Sequence, residues 1–322
     1  MTFNLVTGAD GFVGQHLVAE LLDRGEEVLG AIVGPEPLLT TLSESEARRV
    51  RWELLELEEE ASVRRFARAY RADRLFHLAG LSSPSESLDD PASHIRVNVL
   101  GSLFLLDELA AMRRESGYDP AIVISGSAHV YGAAAARFQP LIEEHPLEPL
   151  NPYAVSKAAQ EMLGTQFARS AGLSVVVTRS FNHTGPGQRP TFVASQLAAR
   201  VQAISQADGV GTVKVGDPTV RRDFTDVRDV VRAYIALSEL GEPGCVYNVC
   251  SGRALAVAEL LEMLARRAGV EVTLEPDPER ARRVDVPLVV GSNARLAELT
   301  GWAPRIPIER SLADLLAWHA GR

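Results

Sequence analysis

Over the first 180 residues, short apolar runs rich in β-branched residues alternate with longer segments whose apolar positions recur every three or four residues. The short runs are typical of buried strands and the longer segments of amphipathic helices. The predicted strands cover residues 3–6, 27–33, 51–55, 74–79, 121–125 and 174–179. The predicted helices cover residues 13–24, 62–70, 93–114 and 153–171. This alternation predicts an α/β fold with a doubly wound parallel sheet that helices cover on both faces.

The pattern changes after residue 180, where Pro and Gly interrupt it and helices at 192–206 and 257–268 alternate with short strands. We predict a dinucleotide-binding domain over residues 1–180 and a smaller C-terminal substrate lobe over residues 181–322. The first domain is expected to include residues 225–250 as well, because they carry one more helix (227–240) and strand (246–249). Residues 132–150 carry three prolines and no periodicity, which predicts an irregular rim of a functional site.

Glycines at positions 8, 11 and 14 directly follow the first predicted strand and open the first helix. Glycine at such a junction permits a tight turn, close approach of the backbone to a pyrophosphate and close helix–strand packing. The pattern predicts a Rossmann-type dinucleotide site formed by the backbone of Gly8, Gly11, Phe12, Val13 and Gly14. The second strand ends in Gly-Ala-Ile-Val-Gly at 30–34, with neither an acid for a ribose 2′-hydroxyl nor an arginine. The sequence therefore leaves both NADP(H) and NAD(H) open as cofactors.

A helix-start signal precedes a tyrosine and a lysine that lie one helical turn apart. Asn151 suits the N-cap and Pro152 the first helical position, so Tyr153 and Lys157 are expected to share one helix face. A nearby cation lowers the pKa of a tyrosine, and the pair then makes an acid or base for neutral pH. Taken alone, the same spacing also fits a helix with Tyr and Lys on its surface.

Composition excludes several classes of protein. The chain has 322 residues, 46% hydrophobic, and a net charge of −9 without a basic block, which argues against nucleic-acid binding. It contains no apolar run long enough for a membrane helix, and Met1 leads directly into a strand-like segment, so we expect no signal peptide and a cytoplasmic location. Cys245 and Cys250 are expected to be buried free thiols, and no metal site is predicted.

Together with Ser127, which lies four residues before Tyr131-Gly132, the glycine motif and the Tyr153–Lys157 pair resemble the extended short-chain dehydrogenase/reductase superfamily. Further segments resemble the GDP-4-keto-6-deoxy-D-mannose reductases, a family close to the GDP-mannose 4,6-dehydratases. These segments are residues 179–188, 222–229, 246–252 and 300–304. The string Phe-Asn-His-Thr-Gly-Pro-Gly-Gln at 181–188 is the most specific piece, and the resemblance covers about residues 3–318.

The resemblance implies site residues of three kinds. It gives catalytic roles to Ser127, Tyr153 and Lys157. The implied cofactor contacts are Gly8, Gly11, Phe12, Val13, Gly14, Glu56, Leu57, Ala79, Asn98, Tyr153 and Lys157. The implied substrate contacts are Asn182, Arg222 and Arg282, although the choice among Arg280, Arg282 and Arg283 stays open. Glu56 departs from the family pattern, which usually has Asp there.

The function that the resemblance implies is transfer of a hydride from NAD(P)H to the C4 ketone of GDP-4-keto-6-deoxy-D-mannose, giving GDP-D-rhamnose. The implied partners are that GDP-linked deoxyhexose and a second copy of the chain, held through the helices at 93–114 and 153–171. The alternative is a nucleotide-sugar 4,6-dehydratase or 4-epimerase. Related dehydratases carry a Glu where this chain has His129, which weighs moderately against dehydration. A non-catalytic dinucleotide sensor fits less well, because Ser127, Tyr153 and Lys157 are all present.

Overall fold

The computed structural model describes residues 1–277 and 286–321. The strands of the described residues are β1 (Phe3–Thr7), β2 (Glu27–Ile32), β3 (Arg51–Leu54), β4 (Arg74–His77), β5 (Ala121–Ser127), β6 (Val175–Ser180), β7 (Asn182–Thr184), β8 (Val210–Val215), β9 (Arg221–Asp226), β10 (Val246–Val249), β11 (Ala254–Ala256), β12 (Glu271–Pro276) and β13 (Leu288–Val289). Seven of them form the central sheet in the order β10-β6-β5-β4-β1-β2-β3, in which all neighbouring strands are parallel. The strand order reverses between β1 and β4, and ligands of such sheets bind at that point, beyond the carboxyl ends of the strands.

Helices cover both faces of this sheet. The α-helices of the described residues, those of the second core included, are α1 (Phe12–Asp23), α2 (Glu44–Ala47), α3 (Glu60–Ala69), α4 (Glu86–Asp89), α5 (Pro91–His94), α6 (Gly101–Ser116), α7 (Pro152–Ala171), α8 (Val193–Gln206), α9 (Val227–Leu240), α10 (Val257–Ala268), α11 (Ala294–Thr300) and α12 (Ile308–Ala320). A π-helical turn, Ile95–Leu100, joins α5 to α6, and a 3₁₀ segment, Ala128–Ala136, follows β5. The apolar core on one face contains α1 and α9, and the core on the other face contains α3 and α6, with α7 beside them. Every residue of β6 is buried, as expected for a strand covered on both sides.

A second group of elements has a core of its own. The strands β11, β9 and β13 form a small sheet with β7 at its side, and β8 pairs with β12. The helices α8, α10 and α12 pack together around leucines such as Leu197, Leu260 and Leu315. By contrast, β10 belongs to the central sheet and α9 packs beneath it. The proposed boundary between two domains stays a prediction.

The α/β fold with a parallel doubly wound sheet is confirmed, and the predicted helices and strands differ from the observed ones by at most two residues at either end, with one exception. The single helix predicted at 93–114 is divided into α5 and α6 by the π-helical turn Ile95–Leu100. The expectation that residues 132–150 lack regular structure is wrong at the start of that stretch, which forms 3₁₀ turns. Cys250 is a buried free thiol, but Cys245 is only half-buried, because it lies in a surface turn near Glu242. Within residues 1–277 and 286–321, no helix combines the length and apolarity that crossing a membrane requires.

Candidate active site

The glycine turn between β1 and α1 lies at the carboxyl edge of the central sheet, next to the point where the strand order reverses. Gly8 has a φ of +68°, which strongly favours glycine. A Cβ at Gly8 would lie 2.9 Å from the backbone of Ala79, at the end of β4. A Cβ at Gly14 would overlap the carbonyl oxygen of Gly8. The turn is thus packed so closely against α1 and β4 that only glycine fits at these two positions.

The N-terminus of α1 is open to an anion. Gly11 is its N-cap and provides no side chain to cap the helix, and the first turn carries no acidic residue. The first N–H groups of a helix, here including those of Phe12 and Val13, have no partner within the helix. With the helix dipole behind them, these donors suit the negative charge of a pyrophosphate. The turn therefore fits the dinucleotide that the sequence predicts.

Gln15 organises the loop that follows β2, a feature that the sequence analysis did not identify. Its buried Oε1 accepts the N–H groups of Thr40 (2.8 Å) and Thr41 (2.9 Å), and its Nε2 donates to the carbonyls of Asp10 (2.7 Å) and Leu38 (3.0 Å). One amide thereby ties the glycine turn to the loop where a cofactor ribose would lie. The neighbouring candidates Glu56 and Leu57 follow β3 at the same edge of the sheet, Glu56 exposed and Leu57 buried.

Tyr153 and Ser127 meet at the junction of β5 and α7. The Asn151 side chain caps α7 by accepting the N–H of Ala154 at 2.9 Å, and Pro152 occupies the first helical turn, as predicted. Ser127 is the last residue of β5, and its Oγ accepts the N–H of His129 at 3.2 Å. Both site residues are buried, and the Ser127 hydroxyl lies close enough to that of Tyr153 to affect its pKa.

The acid–base state of Tyr153 differs from the sequence-based expectation. Burial raises the pKa of Tyr153 to about 12, against a smaller lowering by the hydrogen bond with Ser127. The expected lowering by Lys157 is wrong in this structure, because the ammonium donates elsewhere. Lys157 Nζ donates to the Ser125 carbonyl at 2.9 Å and to Gln160 Oε1 at 2.8 Å. Burial lowers the pKa of Lys157 to about 8, so both side chains are predominantly protonated at neutral pH.

Asn98 ties the loop after β4 to α7. It lies fully buried in the π-helical turn, where its Oδ1 accepts the N–H of Leu81 at 2.8 Å. Its Nδ2 donates to the carbonyl of Leu81 at 3.0 Å and to Ser156 Oγ at 2.9 Å. π-helical turns are frequent at functional sites. A Cβ at Gly80, the residue after Ala79, would lie 2.7 Å from Asn98 Oδ1 and 3.7 Å from Lys157 Nζ, so the candidates Asn98 and Ala79 lie near Lys157.

Two imidazole rings flank the ring of Tyr153. His129 packs edge to face at a centroid distance of 5.7 Å, and His94 does so at 6.3 Å. The Nε2 atom of His94 is buried and has no hydrogen-bond partner in the part of the chain that the structure describes. The sequence analysis did not identify His94, because nothing in its local pattern indicates that α5 packs against α7.

The candidate substrate residues lie in the small sheet. Asn182 begins β7 and is opposite Phe224 of β9, and Arg222 precedes Phe224 by two residues on the same strand. Side chains two apart on a strand point to the same face. Arg222 is half-buried and donates to the carbonyl of Arg221 at 2.9 Å. Arg282, with its neighbours Arg280 and Arg283, lies outside the described residues.

Known proteins match this chain over nearly its whole length. It is 40% identical to the curated GDP-6-deoxy-D-mannose reductase of Pseudomonas aeruginosa, over 98% of this chain and 96% of that protein. The solved structure of RMD from Pseudomonas aeruginosa complexed with NADPH matches with a TM-score of 0.83 and 36% identity, over 100% of this chain and 99% of that chain. Human UDP-glucose 4-epimerase is 29% identical over 98% of this chain and 95% of its own length. A family model described as GDP-mannose 4,6 dehydratase matches residues 5–315. The chain therefore belongs to the GDP-mannose 4,6 dehydratase family.

Proposed function

We propose that this protein is an NAD(P)H-dependent reductase that converts GDP-4-keto-6-deoxy-D-mannose to GDP-D-rhamnose. The observation that carries the proposal is the meeting of Ser127 and Tyr153, with Lys157 one turn along α7, beside a glycine turn built for a pyrophosphate. The 40% identity to a GDP-6-deoxy-D-mannose reductase supports the substrate. The solved relative that is complexed with NADPH supports the cofactor.

Tyr153 and Ser127 act on the ketone oxygen of the sugar. A bound reduced nicotinamide supplies the hydride, and negative charge then develops on that oxygen. The Ser127 hydroxyl donates a hydrogen bond to it, and the Tyr153 hydroxyl donates its proton. A tyrosine with a pKa of about 12 is protonated at neutral pH. It is still a stronger acid than a sugar alcohol, so proton transfer from Tyr153 to the developing alkoxide is favourable.

Lys157 contributes its remaining donor to cofactor binding. Among the described residues, two of its three N–H groups donate to Ser125 and Gln160. The third is left for a hydroxyl of the nicotinamide ribose.

The C-terminal lobe, residues 181–322, holds the nucleotide sugar. A guanidinium forms paired, charge-assisted hydrogen bonds with phosphate oxygens. Arg222 supplies that group for the diphosphate, and Asn182 binds beside it from the adjacent strand. Their place in one small sheet supports a shared substrate surface.

The alternative within the family is dehydration or epimerisation. It is suggested by the name of the family model and by the UDP-glucose 4-epimerase relatives. A dehydratase needs a base at C5 and an acid at C6 in addition to hydride transfer. The position where related dehydratases carry Glu holds His129, whose ring lies against Tyr153. A reductase needs no group beyond those described above.

The proposal is tested by incubating the purified protein with NADPH and GDP-4-keto-6-deoxy-D-mannose. We expect loss of the NADPH absorbance in proportion to the sugar added, and a single product whose C4 configuration, measured by NMR, is that of rhamnose. Failure to oxidise NADPH with this sugar, or a product with the opposite configuration at C4, would contradict the proposal.

The protein acts as a homodimer in this proposal. The helices from α5 to α7 expose four large apolar side chains, Ile95, Leu100, Val155 and Met162. Light scattering should give twice the mass of one chain, and the double variant Val155→Glu/Met162→Glu should give a monomer. A monomeric wild-type protein would remove this part of the proposal.

A further inference from the structure

A buried chain of hydrogen bonds connects Lys157 on α7 with the glycine turn at the end of β1. We propose that Gln160, held in one orientation by Ser102 and His77, is a positioning residue that fixes the Lys157 ammonium for cofactor binding and hydride transfer. The proposal rests on the role given to Lys157 in the proposed function. It assigns a purpose to three polar side chains that the reaction itself does not use.

The chain is continuous over five side chains. Lys157 Nζ donates to Gln160 Oε1 at 2.8 Å, and Gln160 Nε2 donates to Ser102 Oγ at 2.7 Å. His77 Nε2 lies 2.9 Å from Ser102 Oγ, and His77 Nδ1 lies 2.9 Å from Thr7 Oγ1. All five side chains are at least 95% buried, so water does not compete for these bonds.

One arrangement of protons around His77 satisfies every donor and acceptor in this chain of bonds. The single hydroxyl proton of Ser102 is donated to the Asn98 carbonyl at 2.7 Å, so His77 Nε2 must carry a proton and donate it to Ser102. The Ala79 N–H donates to Thr7 Oγ1 at 3.1 Å, which leaves the Thr7 hydroxyl to donate to His77 Nδ1. His77 is therefore a neutral ring with its proton on Nε2. In agreement, burial and then the charge of Lys157 lower the pKa of His77 to about 3.

This arrangement fixes the amide of Gln160. Because Ser102 donates its proton to the Asn98 carbonyl, it can only accept a hydrogen bond from Gln160. The amide of Gln160 must therefore present its NH₂ group to Ser102 and its oxygen to Lys157. Rotating the amide would place NH₂ against the ammonium and leave two buried donors facing each other. Gln160 is thus locked as an acceptor for Lys157.

Lys157 depends on this acceptor because, among the described residues, no carboxylate pairs with its ammonium. Glu161, the next residue after Gln160, is turned away and pairs with Arg179 at 2.6 Å. The other titratable groups around the ammonium are Tyr153 on α7 itself, His77 on β4, and Tyr234 on α9, which reaches Ser125 at 3.2 Å. The pKa of a buried cation that is held by neutral acceptors depends on those acceptors. Ser125 accepts through its backbone carbonyl and Gln160 through its side chain, so the Gln160 contact is the one that a substitution can change.

The test measures how the affinity for NADPH depends on pH. Wild-type protein should lose affinity as pH rises through the pKa of Lys157, about 8. Gln160→Glu places a carboxylate beside the ammonium and should move the midpoint of this loss upward by at least about one pH unit. Gln160→Met keeps the length of the side chain and removes the acceptor, so its midpoint should move downward. Fluorescence titration of NADPH binding at a series of pH values gives all three midpoints.

Controls separate positioning from folding. Gln166→Glu and Gln166→Met make the same changes at an exposed position of α7 and should keep the wild-type midpoint. Melting temperatures establish that each variant is folded. Ser102→Ala frees the amide of Gln160 and should move the midpoint in the same direction as Gln160→Met, which provides the test if a Gln160 variant does not fold.

A wild-type affinity that is constant around pH 8, or Gln160 and Ser102 variants whose midpoints equal the wild-type value, would overturn the proposal. A shift to lower melting temperature without a shift in midpoint would also overturn it, because that result describes a purely structural role. A protein that binds NADPH with the expected midpoints yet fails to reduce the keto sugar would contradict the proposed function alone.

Discussion

Burial acts in opposite directions on the two ionisable groups of the candidate site. It raises the pKa of Tyr153 to about 12 and lowers the pKa of Lys157 to about 8, since each shift disfavours the charged form. The tyrosine is thereby kept protonated at neutral pH, which suits the proposed reduction of a ketone. The lysine keeps its charge at neutral pH, although its pKa lies only slightly above that pH.

Tyr153→Phe tests the proton donor. The change removes one hydroxyl and little packing, so turnover should fall by about 100- to 10,000-fold while NADPH affinity stays close to that of the wild type. Steady-state kinetics and fluorescence titration measure the two effects. A variant that retains wild-type turnover would assign the proton to another group, with His129 the nearest candidate in the site.

Arg222→Ala tests the substrate surface. Loss of a guanidinium that binds the diphosphate should raise the KM for the nucleotide sugar by about 10-fold or more and leave the KM for NADPH unchanged. Arg221→Ala is the matched control, because its side chain pairs with Glu259 at 3.2 Å instead. Equal increases in both KM values for Arg222→Ala would indicate a role in folding.

At the scale of elements, the junction of β1 and α1 combines packing and binding. The close packing that suits the proposed pyrophosphate contact leaves no room for a side chain at Gly14. The sequence predicted this junction because glycine spacing, a preceding strand and a following helix are all local signals. The loop bound by Gln15 was not predicted, because that amide bonds residues about 25 positions away, and no local pattern records such a contact.

Gly14→Ala should therefore cost about 1–3 kcal/mol of stability and abolish NADPH binding, because the turn must open to admit the Cβ. The control is Gly34→Ala, whose Cβ would lie 3.5 Å from its nearest neighbour, the carbonyl oxygen of Glu36, and should be tolerated. Thermal unfolding and NADPH titration report the two effects. Unchanged binding in Gly14→Ala would mean that the cofactor does not lie on this turn.

At the scale of the whole molecule, the parallel sheet brings distant residues to one edge. Ser127, Tyr153 and Lys157 were predictable because a strand end and a helix start place them, whereas their pKa values were not, since burial depends on elements far apart in the sequence. The link between His77 and Thr7 spans 70 residues and was equally hidden. The small sheet around β9 was missed as a sheet, because its strands are short and separated by unrelated segments.

The buried charge at the centre of the molecule should reduce its stability. The pKa of Lys157 is lower in the folded chain (about 8) than in the unfolded chain (10.5), so unfolding takes up a proton between these values and the stability contributed by this site rises with pH there. Lys157→Met should thus be more stable than the wild type below pH 8 by about 1–3 kcal/mol, and the difference should shrink towards pH 10. Denaturant unfolding at several pH values measures it, with the exposed Lys214→Met as control. A Lys157→Met variant that is less stable than the wild type at pH 7 would contradict this account.

The most direct test of the central claim, reduction at C4, compares two reactions of the wild-type protein. The first contains GDP-mannose with NADP⁺ or NAD⁺, and the second contains GDP-4-keto-6-deoxy-D-mannose with NADPH. The account predicts no keto sugar in the first reaction and, in the second, one NADPH oxidised for each sugar reduced, because the site offers a proton donor at C4 and has His129 where dehydratases carry their Glu. Formation of keto sugar from GDP-mannose at a rate equal to that of NADPH oxidation would contradict it and make the protein a dehydratase.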